Sequence, residues 1–340
     1  MKRWQLWLGI LISAILLYFS LRGLQLDEAW EAIKNANYIW LIPGIAVYFV
    51  GVFVRAWRWH YLLRPLKKIS TRAMFPIVTI GYMGNNIYPA RAGEVLRAVI
   101  LKNREGVSVS ASFATIIVER IFDGVVMLAF VFLNLPELAR LTQNSGFVGS
   151  IQDLAFWGAL AFIWALLIFL LAAMFPLTTE RVVNYLIDHI LPARWRGRVK
   201  PLVQRFLSGL EALRSPQEAL MIFFTTVVIW LLETSKYWFI MQSFPQFHVS
   251  FFSLMLMNGI VNLATTLPSA PGYVGTFDAP GIALLMAYGV PQGIAAPYTI
   301  VLHVALWFPV TIVGAYFYFR QPLRWNREIS NRQEESSTGG

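Results

Sequence analysis

Two short stretches of this chain set ionisable side chains among apolar ones at spacings that could do chemistry. Residues 84–100 read "GNNIYPARAGEVLRAVI", with Arg91, Glu94 and Arg97 three residues apart. That interval lines them along one helix face, where a carboxylate and arginines can pair. The planar guanidinium fork grips phosphate oxygens two at a time, so this face suits a phosphate-bearing headgroup, with Glu94 orienting the arginines or meeting a substrate amine. An internal ion-pair cluster that only holds the segment in place is the competing reading. The second stretch, "VERIFDG", carries Glu119, Arg120 and Asp123. On a helix beginning near Ser108 they stand about 16 to 24 Å along the axis, too deep for their charges to reach an interface easily. Glu119 and Asp123 share a face, so they flank a cation, share a proton or pair with arginines of the first stretch.

Other candidates stand alone or in pairs. Glu233 and Lys236 are three apart, and Lys236 could equally snorkel outward. Asp278 follows a break rich in proline and glycine and suits a helix cap. His303 is a lone histidine in an apolar run, either a proton carrier or a hydrogen-bonded packing residue. There is no cysteine, which excludes disulfides, thiolate metal sites and cysteine nucleophiles. The sequence has no HExxH, Walker loop or nucleophile elbow, so neither enzyme activity nor a bound cofactor or metal is expected.

The elements that must position these residues follow from composition. Hydrophobic residues fill 57% of the 340 positions and charged ones only 14%, against about 25% charged in ordinary soluble chains. An all-α, polytopic integral membrane protein is the class this implies. Apolar runs at 4–21, 38–54, 108–133, 154–175, 219–244 and 295–319 predict six spans. The first is read as a retained span, because no small-residue cleavage site follows it. Residues 24–35 predict a short interfacial helix, 55–72 a basic loop with tryptophans in the headgroup layer, and 176–218 a cytoplasmic amphipathic segment. A single domain over 1–325 and a disordered tail over 326–340 complete the expected layout. Of the 28 lysines and arginines, 21 fall in segments assigned to the inner side, and three, Arg22, Lys34 and Arg140, to the outer. That asymmetry predicts cytoplasmic termini. It also makes anionic lipid, rather than nucleic acid, the counterpart of the formal charge of +10.

Residues 73–101 and 251–288 are apolar but interrupted. "NNIYPARAGEVLRAV" and "NLATTLPSAPGYVGTFDAPGIAL" each run from asparagines through proline and glycine into a helix opened by an acid. Proline lacks a backbone donor, and the groups that such breaks leave unpaired are tolerated in a bilayer only against protein or water. The two segments therefore predict re-entrant helical hairpins around a wet cavity, with helix N-termini projecting partial positive charge into it. Matched breaks in units of about 38–134 and 219–319 predict an inverted repeat, the arrangement that puts a transport site near the bilayer midplane.

"NNIYPARAGEVLRA", "VERIFDGVVML" and "LPSAPGYVGTFDA", in this order, resemble the three signature regions of the flippase-like family named for the lysylphosphatidylglycerol synthase transmembrane region. The resemblance covers nearly the whole chain. It implies an all-helical bacterial or archaeal membrane protein whose relatives translocate, or are proposed to translocate, aminoacylated phospholipids and glycolipids between leaflets. Position by position it points to Asn86, Pro89, Arg91, Gly93, Glu94, Arg97, Glu119, Arg120, Asp123, Pro268, Pro271, Gly272, Gly275 and Asp278, the last standing where many relatives carry glutamate. The soluble aminoacyltransferase domain of the full-length synthases is missing, so this chain is not expected to make lysylphosphatidylglycerol by itself. The expectation is a lipid flippase or scramblase in a prokaryotic cytoplasmic membrane. The residues of the two breaks would bind the substrate, and Glu119, Arg120, Asp123, Glu233, Lys236 and His303 would handle charge or protons. The alternatives are a membrane-embedded enzyme acting on a polyprenyl phosphate and a scaffold for a cell-envelope lipid synthase.

Overall fold

A computed structural model describes residues 3–88, 91–141, 146–267 and 269–320. Pro89 and Pro268, both expected at the substrate site, and the tail expected to be disordered lie outside the described residues. No strand occurs among those described. The chain runs through α1 (Arg3–Leu21), α2 (Leu26–Lys34), α3 (Leu41–Leu63), α4 (Thr71–Ile87), α5 (Ala92–Glu105), α6 (Val109–Leu141) and α7 (Gly146–Met174). It continues through α8 (Pro176–Ile190), α9 (Ala193–Ser208), α10 (Pro216–Met241), α11 (Phe251–Ala264), α12 (Asp278–Ala287) and α13 (Gln292–Arg320).

Four stretches are long and apolar enough to cross a membrane: Tyr38–Leu63, Phe156–Met174, Pro216–Met241 and Gln292–Arg320. The other two expected spans are present as helices with distinctive features. The first turns through 91° into the interfacial helix α2, and α6 carries Glu119, Arg120 and Asp123 within an otherwise apolar length. α3 extends beyond the expected 38–54 and takes in Arg55 and Arg58, which the sequence reading placed in a basic loop. The reason is periodic: Val52, Ala56, Trp59 and Leu63 keep a buried stripe running through the arginine-rich stretch.

Both interrupted regions fold back as hairpins. Ser70 accepts from the Ala73 N–H and caps α4, and Ser250 does the same for α11 through the Ser253 N–H. α5 returns along α4 and α12 along α11. α3 packs on α10, α4 on α13, and α6 on α11. Exchanging α3 to α6 for α10 to α13 maps these pairings onto one another, as an inverted repeat requires. Each half has its own apolar core, one around Trp59, Met74 and Ile77, the other around Tyr237, Phe244 and Tyr298. By contrast α7 presents Phe156, Trp157, Trp164 and Leu171 outward, as a helix solvated by lipid would. α8 and α9 are tied by a 2.8 Å hydrogen bond from Lys200 to Asp188, which holds that exposed carboxyl below its ordinary pKa.

The first hairpin closes through glycine. A Cβ on Gly84 would stand 2.8 Å from the Gly93 Cα, so neither helix can carry a side chain there without moving apart. Gly84→Val is expected to cost about 1 to 3 kcal/mol and to lower the thermal unfolding temperature in detergent by several degrees. Gly197→Ala on α9, where nothing lies within 4 Å, should leave that temperature unchanged or raise it.

Candidate functional site

The two breaks approach each other inside the fold. Arg91, at the turn into α5, has left-handed backbone (φ 53°), and so does Tyr273 in the second break (φ 62°). They are the two non-glycine residues with positive φ among those described, a conformation that costs energy and concentrates at functional sites. They also meet: the Arg91 guanidinium lies over the Tyr273 ring at 5.9 Å and donates to the Thr265 carbonyl at 3.3 Å. Gly272, with φ 75°, comes so close to Trp307 of α13 that a Cβ would stand 2.8 Å from its indole nitrogen. Asn86 donates to the Trp307 carbonyl at 3.2 Å and to Thr311 at 2.9 Å. Both breaks are therefore anchored on one face of α13.

Between them lies a polar chamber of about 140 Å³. Its charged walls are Arg55, Arg91, Glu94, Arg120, Glu233 and Lys236, and Asn86, Asn262, Thr265 and His303 are among its other polar lining residues. Arg55 pairs with Glu233 at 2.7 Å, and Lys236 pairs with the same carboxylate. Lys236 is therefore buried and turned inward, not snorkelling outward. Arg120 reaches Glu94 at 3.2 Å and Asp123 at 3.3 Å. Several of these contacts are out of line for a hydrogen bond: Arg55 Nη1, Arg120 Nε and Glu94 Oε1 sit at ion-pair distance with hydrogen-bonding capacity unused.

Behind this wall is a second, buried layer. Arg58 on α3 meets both oxygens of Asp123, at 2.6 and 3.3 Å, and Thr226 at 2.8 Å, while the Trp230 indole donates to Asp123 at 3.1 Å. Arg97 pairs with Glu119 and lies over the Trp59 ring at 4.6 Å. Arg97, Glu119 and Asp123 stand outside the residues lining the chamber, and pairing with arginines, one of the arrangements expected for the two acids, is what the fold realises. In this low-dielectric interior the charges are held by their partners.

Across both layers, the six cations Arg55, Arg58, Arg91, Arg97, Arg120 and Lys236 face the four carboxylates Glu94, Glu119, Asp123 and Glu233, a surplus of two positive charges. Among the described residues, no carboxylate lies within ion-pair distance of Arg91. The remaining expected residues take other places. Gly93 packs against α4, and Gly275 lies against the Ser13 backbone of α1. Asp278 accepts from the Gly275 N–H at 2.9 Å and contacts His303 at 2.8 Å. Pro271 lines an apolar groove of about 550 Å³ between α1, α12 and α13. That groove shares Asn86, His303 and Trp307 with the chamber.

Arg55, Arg58 and Tyr273 were missed by sequence reasoning. For the arginines a signal existed, since the apolar helical stripe continues past them. For Tyr273 none did, because its role depends on where the two breaks meet. Asp123→Ala should strand Arg58 and cost about 3 to 5 kcal/mol, read as loss of folded yield in detergent. Arg91→Gln, which breaks no ion pair, should lower the unfolding temperature far less than Asp123→Ala does.

Comparison with known proteins agrees with this architecture. A family model described as the lysylphosphatidylglycerol synthase TM region matches residues 6–314. The chain is 23% identical over 354 residues to the glycosyltransferase AglD of Haloferax volcanii, covering 97% of this chain but 56% of that protein. The chain therefore spans little more than half the length of that relative. It is 21% identical over 312 residues to a UPF0104 membrane protein of Methanocaldococcus jannaschii, covering 90% of this chain and 91% of the relative. With a UPF0104 membrane protein of Methanothermobacter thermautotrophicus it shares 25% identity over 296 residues, at 82% and 83% coverage. With a match that takes in both hairpins and the charged helix between them, this multi-pass membrane protein belongs to the family of the lysylphosphatidylglycerol synthase transmembrane region.

Proposed function

We propose that the chain moves a phosphate-bearing lipid between the leaflets of its membrane. The observation that carries this reading is Arg91: a guanidinium with no carboxylate partner among the described residues, at a chamber whose surroundings hold two positive charges in excess. An anion completes that balance, and arginine suits a phosphate in particular. The apolar groove supports an amphiphile over a free ion, because a molecule occupying both spaces needs a charged end and a hydrocarbon end. Arg55, Arg120 and Lys236 line the headgroup space in this reading, while Arg58, Arg97, Glu119 and Asp123 hold the wall rigid.

The charge distribution supports cytoplasmic termini in a prokaryotic cytoplasmic membrane. Removing Arg55 and Arg58 from the 21 inner positives, since both are buried in α3, leaves 19 against 3. A second reading is chemistry on a lipid-linked phosphate, favoured by the relative named as a glycosyltransferase. The same chamber would hold its substrate. Mass spectrometry of candidate lipids incubated with purified protein separates the two, because only an enzyme changes their covalent structure.

Reconstituted in liposomes with a fluorescent anionic phospholipid, the wild-type protein is expected to carry lipid across. Arg91→Ala should lower the rate at least tenfold, the worth of a charge-assisted hydrogen bond of about 1.5 to 3 kcal/mol. An Arg91→Ala rate equal to wild type removes the anion site from the mechanism.

A further inference from the structure

The repeat places one pair of residues in corresponding positions with different chemistry. α6 begins at Val109 and α13 at Gln292, so Arg120 and His303 each stand eleven residues past the start of their helix. Each reaches to an acid at the start of the preceding short helix, Arg120 to Glu94 in α5 and His303 to Asp278 in α12. Both links fasten a broken segment to the long helix after it. One uses a cation that never deprotonates, the other an imidazole, the side chain that exchanges protons in the physiological range.

Hydrogen-bond stoichiometry fixes what the second link contains. His303 Nε2 lies 2.7 Å from the Gly272 carbonyl, which can only accept, so Nε2 carries a hydrogen. His303 Nδ1 lies 2.8 Å from Asp278 Oδ1, and a hydrogen bond there needs one more proton, on either atom. The other Asp278 oxygen already accepts from the Gly275 N–H. Without that proton a neutral imidazole has one N–H for two acceptors, so in either tautomer one of the two contacts, to Gly272 or to Asp278, becomes repulsive. The Phe277 ring, 4.5 Å from the imidazole, supplies no replacement partner.

We propose that His303 and Asp278 form a binding site for one exchangeable proton, which latches the second break to α13 and couples lipid transport to protons. Proton loss opens the latch and lowers the positive surplus around the chamber by one, so proton and anion each favour the other's binding. This coupling rests on the chamber being the anion site; the latch does not. Asp278 is the ionisable group within ion-pair distance of His303 among the described residues. The other groups around the same chamber are Tyr48 and Arg55 from α3, Tyr82 from α4, Arg91 and Glu94 at α5, Arg120 from α6, Glu233 and Lys236 from α10, and Tyr273 in the second break. Arg55, Glu94, Arg120, Glu233 and Lys236 are held in ion pairs of their own, and Asp278 is the acid that answers His303.

The test uses the full chain in lipid nanodiscs, without ligand first. Hydrogen exchange of the segment 271–278, corrected for intrinsic rates, should be roughly tenfold more protected at pH 5.5 than at pH 7.5. In His303→Gln this pH difference should vanish, and in His303→Arg the segment should stay protected at both values. An unchanged wild-type segment, or a pH response that survives in His303→Gln, overturns the latch. The second measurement is binding of glycerophosphoglycerol, a phosphodiester whose own charge is constant over this range. Wild-type affinity should fall about tenfold from pH 5.5 to 7.5, and His303→Arg should bind equally at both. Binding that ignores pH while the segment opens overturns the coupling. Absence of glycerophosphoglycerol binding at every pH sinks the anion-site reading itself, and the exchange result still decides the latch.

Discussion

A charge inside a membrane protein has to be answered by another charge, and the fold of this chain is arranged around that requirement. Bilayer hydrocarbon offers no water to screen an arginine, so each buried ion needs a counterpart brought from elsewhere in the sequence. Arg58 of α3 is held by Asp123 of α6 and Thr226 of α10; Arg97 of α5 is held by Glu119 of α6. These bonds cross between helices far apart in the chain, so they fix the mutual placement of α3, α5, α6 and α10. Around the chamber the described residues leave this balance open, with cations in excess.

The backbone imposes the matching constraint. Interrupting a helix within a bilayer leaves donors and acceptors that must find partners in protein. α13 supplies two: the Trp307 indole donates to the Asn86 carbonyl at the first break, and His303 Nε2 to the Gly272 carbonyl at the second. The same helix face that satisfies the broken segments also lines the chamber and the apolar groove. Solvating the interruptions and building the site are thus accomplished by one set of side chains.

Much of this was legible in the sequence, for reasons that can be named. Prolines and glycines in apolar runs are costly unless they serve a break, so the two hairpins were visible in "NNIYPARAGEVLRAV" and "LPSAPGYVGTFDA". The acids of "VERIFDG" were visible because no interface lies within their reach. What stayed hidden was partnership. Arg55 and Arg58 sit beside Trp57 and Trp59, a composition shared by headgroup loops and by buried helix ends. Only the tertiary packing of α3 against α10 decides between them. Likewise Glu119 and Asp123 announce their depth in the sequence but not whether a ligand or an arginine will neutralise them. The sharp bend between α1 and α2 was legible as the join of a span to an interfacial helix, and Gly23, with φ 82°, stands at it.

The meeting of Arg91 with Tyr273 has a mechanical side. Each residue holds its elbow in a twist that its Cβ resists, and each leans on the other's side chain. The guanidinium that would greet an incoming anion is also the prop under the opposite elbow. On the proposed function, a ligand that draws Arg91 away from the tyrosine ring would remove that prop, and its arrival would be felt on both sides of the fold at once.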